Sequence, residues 1–300
     1  MERPLVSVVM GVRNAENGIG DTLESILSQE DVKLEFIVVD DGSTDRTRLI
    51  VEQAMQKDSR IKLLSRSHKG LTLALIEGCT LAKGEFIARQ DAPDISLPKR
   101  LIEQTRALID EPNAVMCSTG VRMVTKEGEE VILGKEPSVQ KVGFRGIIHG
   151  SVMMRRDAYM KTGGYRREFY YAQDIDLWSR LIEIGNHISL PSTLYQSTLF
   201  VGSISGSKKK EQDRFAYYVE MATKERQQGG DEIGWLEMAE SFSNRCKIAR
   251  YSGFSKANGA YFIGACLVGT NPELAKSYFR EAVAHNPLHL KARFKLSILR

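Results

Sequence analysis

Cysteine is scarce and scattered in this chain. Cys79, Cys117, Cys246 and Cys266 share no CxxC spacing, which argues against a zinc site or a disulfide framework and points to a reduced, cytoplasmic protein. No run approaches the ~18 consecutive apolar residues of a membrane span. Met1 to Pro4 leads directly into a strand, without the apolar core of a signal peptide. Charge of one sign is missing as well: Lys and Arg number 42 against 38 acids, and an excess of +4 over 300 residues does not mark a nucleic-acid binder. No Gly-rich phosphate loop follows the first strand, which argues against nucleotidyl transfer. What remains is a globular chain with 42% apolar residues, enough to bury a full core in one large domain or two smaller ones.

The first ninety residues alternate. Val6–Met10, Glu35–Val39, Ile61–Leu64 and Phe86–Ala88 are short β-branched or apolar runs, and Ile19–Leu27, a segment ending at Met55, and Leu71–Leu81 carry apolar residues at helical spacing. Ser43, Thr44 or Asp45 is placed to cap the second helix. This alternation predicts an α/β fold of βαβ units, with a mainly parallel sheet and helices on both faces. Further on, Pro98 is expected in the first turn of a helix running to Ile109, followed by strands at Ala114–Ser118 and Val121–Thr125. A hairpin turn at Lys126–Glu129 leads to Val131–Leu133. His149–Arg155 reads as a strand, Arg156–Lys161 as a short helix stopped by Gly163–Gly164, and Asp174–Ile184 as a helix. Residues 1–205 form one expected domain. Gly206–Lys210 reads as a polar, basic linker into an all-α extension over 206–300. Within it, Ala257 onward and Asn271–Pro287 resemble one tetratricopeptide helix pair followed by the first helix of another. A single repeat cannot bury its own face, so this tail is expected to pack on the rest of the chain, on a protein partner or on a second copy.

One stretch carries more chemistry than its neighbours. Phe86-Ile-Ala88 ends in Arg89, Gln90, Asp91 and Asp94, and in open α/β sheets ligands bind beyond the carboxyl ends of strands. Carboxylates there suit a divalent cation shared with substrate phosphates.

With this stretch go Val6–Glu16, Ile37–Asp45, Ile95–Arg100, His149–Met153, Gly163–Tyr165 and Ala172–Trp178. In number, order and spacing over residues 4 to about 205, these segments resemble the family 2 glycosyltransferases, inverting enzymes of the GT-A fold that use nucleotide-activated sugars. The resemblance implies that Asp41 pairs with the base of a donor, with uracil the first choice, and that Asn14 and Glu16 lie in the first loop beside base and ribose, where the guanidinium of Arg13 can stack on the base. The alternative for Asp41 is helix capping. Lys69 and Arg89 are implied at the diphosphate, with pairing to neighbouring acids or plain surface exposure as alternatives, and Gln90 is implied among the nucleotide-sugar contacts. Asp91 matches the first acid of a DxD motif holding Mn²⁺ or Mg²⁺. Pro93 stands where the second acid belongs, and Asp94, one residue on, is the nearest substitute. Asp174 matches the catalytic base, with capping of the following helix as its other reading. Trp178 is either core or a platform for the sugar. His149 reads as structural, and Asp176 as the weaker choice of base.

The chain also departs from the family: Gly11 and Arg13 replace a common Pro and Tyr, and no Arg-x-His precedes Ser203. The expected partners are a nucleotide-sugar donor and a saccharide or glycolipid acceptor, in a cytoplasmic protein with a peripheral membrane association in view. A degenerate relative that binds without turnover is the rival reading.

Overall fold

The computed structural model describes residues 3–133, 139–140, 147–248 and 253–299. Strand β1 (Leu5–Val12) is followed by α1 (Ile19–Leu27), β2 (Lys33–Asp40), α2 (Thr47–Lys57), β3 (Ile61–Ser65), α3 (Leu71–Leu81) and β4 (Phe86–Arg89). These strands pair in parallel in the order β3-β2-β1-β4. Side chains alternate across the sheet, as the strand period of two requires. Val6, Val8, Met10 and Val12 turn to the layer holding Ile19, Leu23, Ile26 and Val51, whereas Val9, Ile37 and Val39 turn to the layer of Ala74, Leu75 and Cys79. Both faces are therefore covered, and each buried Val, Ile or Leu contributes on the order of 1.5–3 kcal/mol.

Beyond β4 the sheet continues through β5 (Ile95–Ser96), α4 (Arg100–Asp110), β6 (Ala114–Thr125), β7 (Glu130–Leu133), β8 (Val139–Gln140), β9 (Met153–Arg155), α5 (Arg156–Lys161), α6 (Gln173–Leu181) and β10 (Asn186–Leu199). β9 lies antiparallel between β4 and β6, and β10 runs parallel to β6 along its length, so the long ladders are parallel and the short ones antiparallel. Several expectations shift here. β6 is one strand rather than two, α4 begins after Pro98, and His149–Ser151 is a 3-10 turn ahead of β9. β10 has no counterpart among the expected strands. It contains Pro191, and its register breaks between Ser189 and Thr193, the kind of irregularity at which a sheet tolerates proline.

From Ile204 on the chain is helical: α7 (Ile204–Ser207), α8 (Lys209–Gln227), α9 (Ile233–Ile248), α10 (Gly253–Leu267), α11 (Pro272–His285) and α12 (Leu290–Ile298). The expected linker is thus helical on both sides of a break at Lys208. A Cβ at Gly206 would lie 3.1 Å from Gly259 Cα, so close packing of α7 on α10 overrides the polar local sequence. The start of α11 follows capping rules, with Asn271 accepting from Leu274 N at 3.0 Å and Pro272 in the first turn. The tail packs on the sheet domain. Met123 and Leu199 share a core with α10 and α11, Phe169 and Ala172 share another with α8 and α9, and Tyr278 donates to Glu127 of the β6–β7 turn at 2.9 Å. No helix among the described residues is long and apolar enough to cross a membrane.

Candidate active site

The loops after β1, β2 and β4, the start of α6 and the end of β10 surround a cavity of about 590 Å³. Arg13, Asp41, Asp91, Asp94 and Asp174 all line it. Three acids far apart in sequence therefore open onto one space.

Asp41 follows the last residue of β2, where its N–H is held by Val12 O at 2.8 Å. It does not cap α2: Asp45 Oδ1 accepts from Thr47 N at 3.0 Å instead. Asp41 binds the 66–70 loop. Its Oδ1 accepts from Arg66 Nη2 at 2.7 Å and Lys69 N at 2.9 Å, and its Oδ2 meets His68 Nδ1 at 2.7 Å and Gly70 N at 2.8 Å. Burial favours the protonated form, but the Lys69 N–H, the Arg66 guanidinium and His68 outweigh it and hold the carboxyl below its ordinary range. Gly70 sits at φ 100, where a Cβ would fall 2.5 Å from the Tyr170 ring, so loop, ring and carboxylate form one packed wall.

Asp91 is held from beneath. Arg89 is fully buried, and its Nη2 donates to Asp91 Oδ1 at 2.5 Å while Nη1 donates to Gln90 O at 3.0 Å and Nε to His149 Nε2 at 3.2 Å. Since a guanidinium only donates, His149 accepts through Nε2, and burial beside Arg89 keeps its ring neutral. His149 is structural, as read from sequence, but it also lines the cavity.

Asp174 stands in the first turn of α6, where Oδ1 accepts from Ile175 N at 2.9 Å. Burial pushes its carboxyl above the usual carboxylate range. The N–H groups of Ile175 and of its own residue oppose this, and the charge of Asp91 adds to it. Such a group is a better proton acceptor at neutral pH than an ordinary carboxylate. Asp176, by contrast, is buried against Arg180 and lies 3.5 Å from Arg166.

Other expected residues fall elsewhere. Arg89 takes the acid-pairing alternative. Gln90 is buried, donating to Asp94 O at 2.9 Å and accepting from Ser96 Oγ at 2.8 Å, so it braces the β4–β5 turn. Asn14 accepts from Thr44 N at 2.8 Å, and Glu16 accepts from Arg46 N at 3.1 Å. Both tie the first loop to the second and lie outside the cavity lining. Lys69 contributes its backbone N–H, and its exposed side chain is likewise outside the lining. Trp178 is 1% exposed and belongs to the core under α6, the second of its two readings being the one set aside. His68, Tyr170, Phe200, Gln212 and Phe262 line the cavity without a signal in the local sequence, because the last two come from the helical tail and the others from loops.

The donor set for a metal is narrower than expected. Among the described residues no group of three or more Asp, Glu, His or Cys is placed to hold an ion. Asp94 reaches the cavity, but its Oδ1 accepts from Thr198 N at 2.9 Å and its Oδ2 from Tyr195 Oη at 3.0 Å, so it locks β10 and is not offered as a ligand. Asp91 Oδ2 remains. One carboxylate oxygen fits Mg²⁺ or Mn²⁺ when the ion brings its other oxygens as water and substrate phosphate.

Burial and Asp91 raise the Asp94 carboxyl to about 7. A raised acid gives stability that is present below its unfolded pKa and is lost as pH climbs to its folded one. Between about pH 5 and about pH 8 the wild type should therefore lose on the order of 2–3 kcal/mol relative to Asp94→Asn. Thermal denaturation of both proteins at each pH checks this; a difference that does not change with pH would remove the buried charge from the account.

Comparison with known proteins agrees with this geometry. The pattern of Glycosyl transferase family 2 matches residues 7–163. EpsE of Bacillus subtilis strain 168, itself assigned as a glycosyltransferase, is 37% identical over 204 residues, which is 64% of this chain and 72% of that one. WbnJ of Escherichia coli, an O-antigen biosynthesis glycosyltransferase, is 28% identical over 184 residues, 59% of this chain and 72% of its own. S. aureus TarS 1–349 in complex with UDP-GlcNAc superposes with a TM-score of 0.60 at 19% identity, covering 98% of this chain and 88% of that one, and shows the likeness of fold expected of GT-A enzymes. The matched span holds the cavity's Asp41 and Asp91, and the chain belongs to glycosyl transferase family 2.

Proposed function

We propose that the chain transfers a hexose-type sugar with inversion, from a UDP-linked donor to a saccharide or glycolipid acceptor, in the assembly of a surface polysaccharide. The observation that carries this reading is the shared cavity: Asp174 and Asp91 face one space, near enough for the charge of Asp91 to act on Asp174. The acceptor hydroxyl gives its proton to Asp174. Its oxygen bonds to the anomeric carbon while the bond from that carbon to phosphate oxygen breaks, and the electron pair leaves with the nucleoside diphosphate. Arg89 holds the Asp91 carboxylate in place from below. A divalent ion at Asp91 Oδ2 would neutralise charge on the departing diphosphate. Arg13, His68, Tyr170, Phe200, Gln212 and Phe262 line the same cavity and are available to donor and acceptor. Support for a UDP donor comes from the TarS complex, and for polysaccharide assembly from WbnJ.

The test is titration of UDP-, GDP- and dTDP-sugars with and without Mn²⁺ or Mg²⁺, coupled to release of nucleoside diphosphate in the presence of an acceptor panel. A UDP-sugar is expected to bind at least about tenfold tighter than its GDP counterpart and to turn over. Binding without release from any donor would favour the non-catalytic reading, which the occupied oxygens of Asp94 and the replacement at Pro93 keep in play.

A further inference from the structure

Charge is segregated along the helical tail. Residues 241–272 and 286–300 hold eight Lys or Arg and neither Asp nor Glu, whereas the whole chain has an excess of only +4, so the remainder is net acidic. The second of these stretches contains α12, whose outward face is apolar. Leu290, Phe294 and Ile298 recur every four residues, with Leu288 just ahead of the helix, and their exposure runs from 56% at Ile298 to 81% at Leu288.

At about 100° per residue the three helical positions fall within an arc of about 80°. Lys291 and Lys295 flank that arc on one side and Arg293 on the other, while the buried Ala292 and the partly buried Leu296 and Leu299 face the core shared with α10 and α11. The patch reaches α10. Exposed Phe254 lies one turn before Asn258, whose Oδ1 meets Nε2 of His289, the residue between Leu288 and Leu290, at 3.3 Å. Exposed Lys256 stands beside it.

An apolar stripe edged by lysine and arginine, with no acid in either segment, is poorly suited to a specific protein groove, where lysine is depleted. It suits a surface that offers acyl chains at one depth and anionic headgroups just above. Leu and Phe enter the boundary there, and the long cationic side chains reach back to the phosphates. We propose that α12, with Phe254 of α10, seats this chain on an anionic phospholipid bilayer. The proposal stands on the surface alone and is independent of the transfer chemistry.

The test is flotation of the full chain with vesicles of phosphatidylcholine, or of phosphatidylcholine with about 30% phosphatidylglycerol. The chain is expected to float with the second and not the first, and to be released at about 0.5 M salt. Leu290→Glu with Phe294→Glu, and separately Lys291→Glu with Arg293→Glu, are each expected to lower partition by about tenfold or more. All four side chains are exposed, so the thermal midpoint should hold and report an intact fold. Failure of the wild type to float with either vesicle would overturn the proposal. So would equal, salt-insensitive partition into phosphatidylcholine, or light scattering that shows a dimer broken by Phe294→Glu without any lipid binding.

Discussion

Asp174→Asn should lower sugar transfer by about 10²–10⁴-fold while leaving donor affinity within about twofold. The two readings of this residue, helix cap and proton acceptor, make different demands on the side chain. The structural role is that of a first-turn acid, which needs one oxygen for Ile175 N–H, and asparagine keeps it. The base needs a carboxylate that ionises, and asparagine has none. An isosteric change therefore leaves α6 in place and removes only the proton acceptor.

The pH profile supplies the second readout. Burial raises the Asp174 carboxyl, with Asp91 adding to it, so the acid limb of kcat should lie above the ordinary carboxylate range. Activity falls as pH drops through that limb, because the protonated acid cannot take the acceptor's proton. In Asp174→Asn the residual rate should lose the limb. A variant that kept both its rate and its limb would take the base role away from Asp174, and the neighbouring Asp176, already paired with Arg180 and Arg166, could not replace it without breaking those contacts.

What could be read from the chain alone follows a physical line. α3 was legible to the residue, since the apolar spacing of Leu71 to Leu81 is a local signal. Asp41, Asp91 and Asp174 were singled out by the family resemblance, because an acid after a strand or in the first turn of a helix can equally serve as a cap, and the structure brings all three to the cavity lining. β10 was not, because its Ser, Thr and Pro191 carry no period and its partner β6 lies about 70 residues back, as in the pairing of Ile188 with Cys117. Arg89, Gln90 and Trp178 show the other failure. A motif names the residues near a site, but whether a side chain at a strand end reaches the cavity or turns into the interior, as the fully buried Arg89 does, depends on the packing of β1 and β9 on either side of β4. The tail's share of the wall, Gln212 and Phe262, was hidden for the same reason: it is a contact across the fold and not a pattern along it.

Asp41→Ala is expected to destabilise the fold by about 3–5 kcal/mol and to raise the KM for donor by at least about tenfold. Both effects come from the 66–70 loop. Arg66 is almost wholly buried and divides its guanidinium between Asp41 and Glu77, so removal of Asp41 leaves half of a buried cation and the N–H groups of Lys69 and Gly70 without their acceptor. The loop then loses the anchor that sets His68 and Gly70 at the cavity wall, and donor binding suffers through the shape of that wall. The folded pKa of Asp41 is depressed, so the stability it supplies is present above the unfolded carboxylate value and is lost as pH falls through the folded one. The gap between wild type and Asp41→Ala should accordingly close in acid. Asp41→Leu combined with Arg66→Met separates anchor from contact, because it removes both buried charges at once and should regain part of the stability. If donor affinity returned with it, Asp41 would act on the donor only by holding the fold. If stability returned and affinity did not, the carboxylate and the loop it organises would be the means by which this cavity recognises its nucleotide.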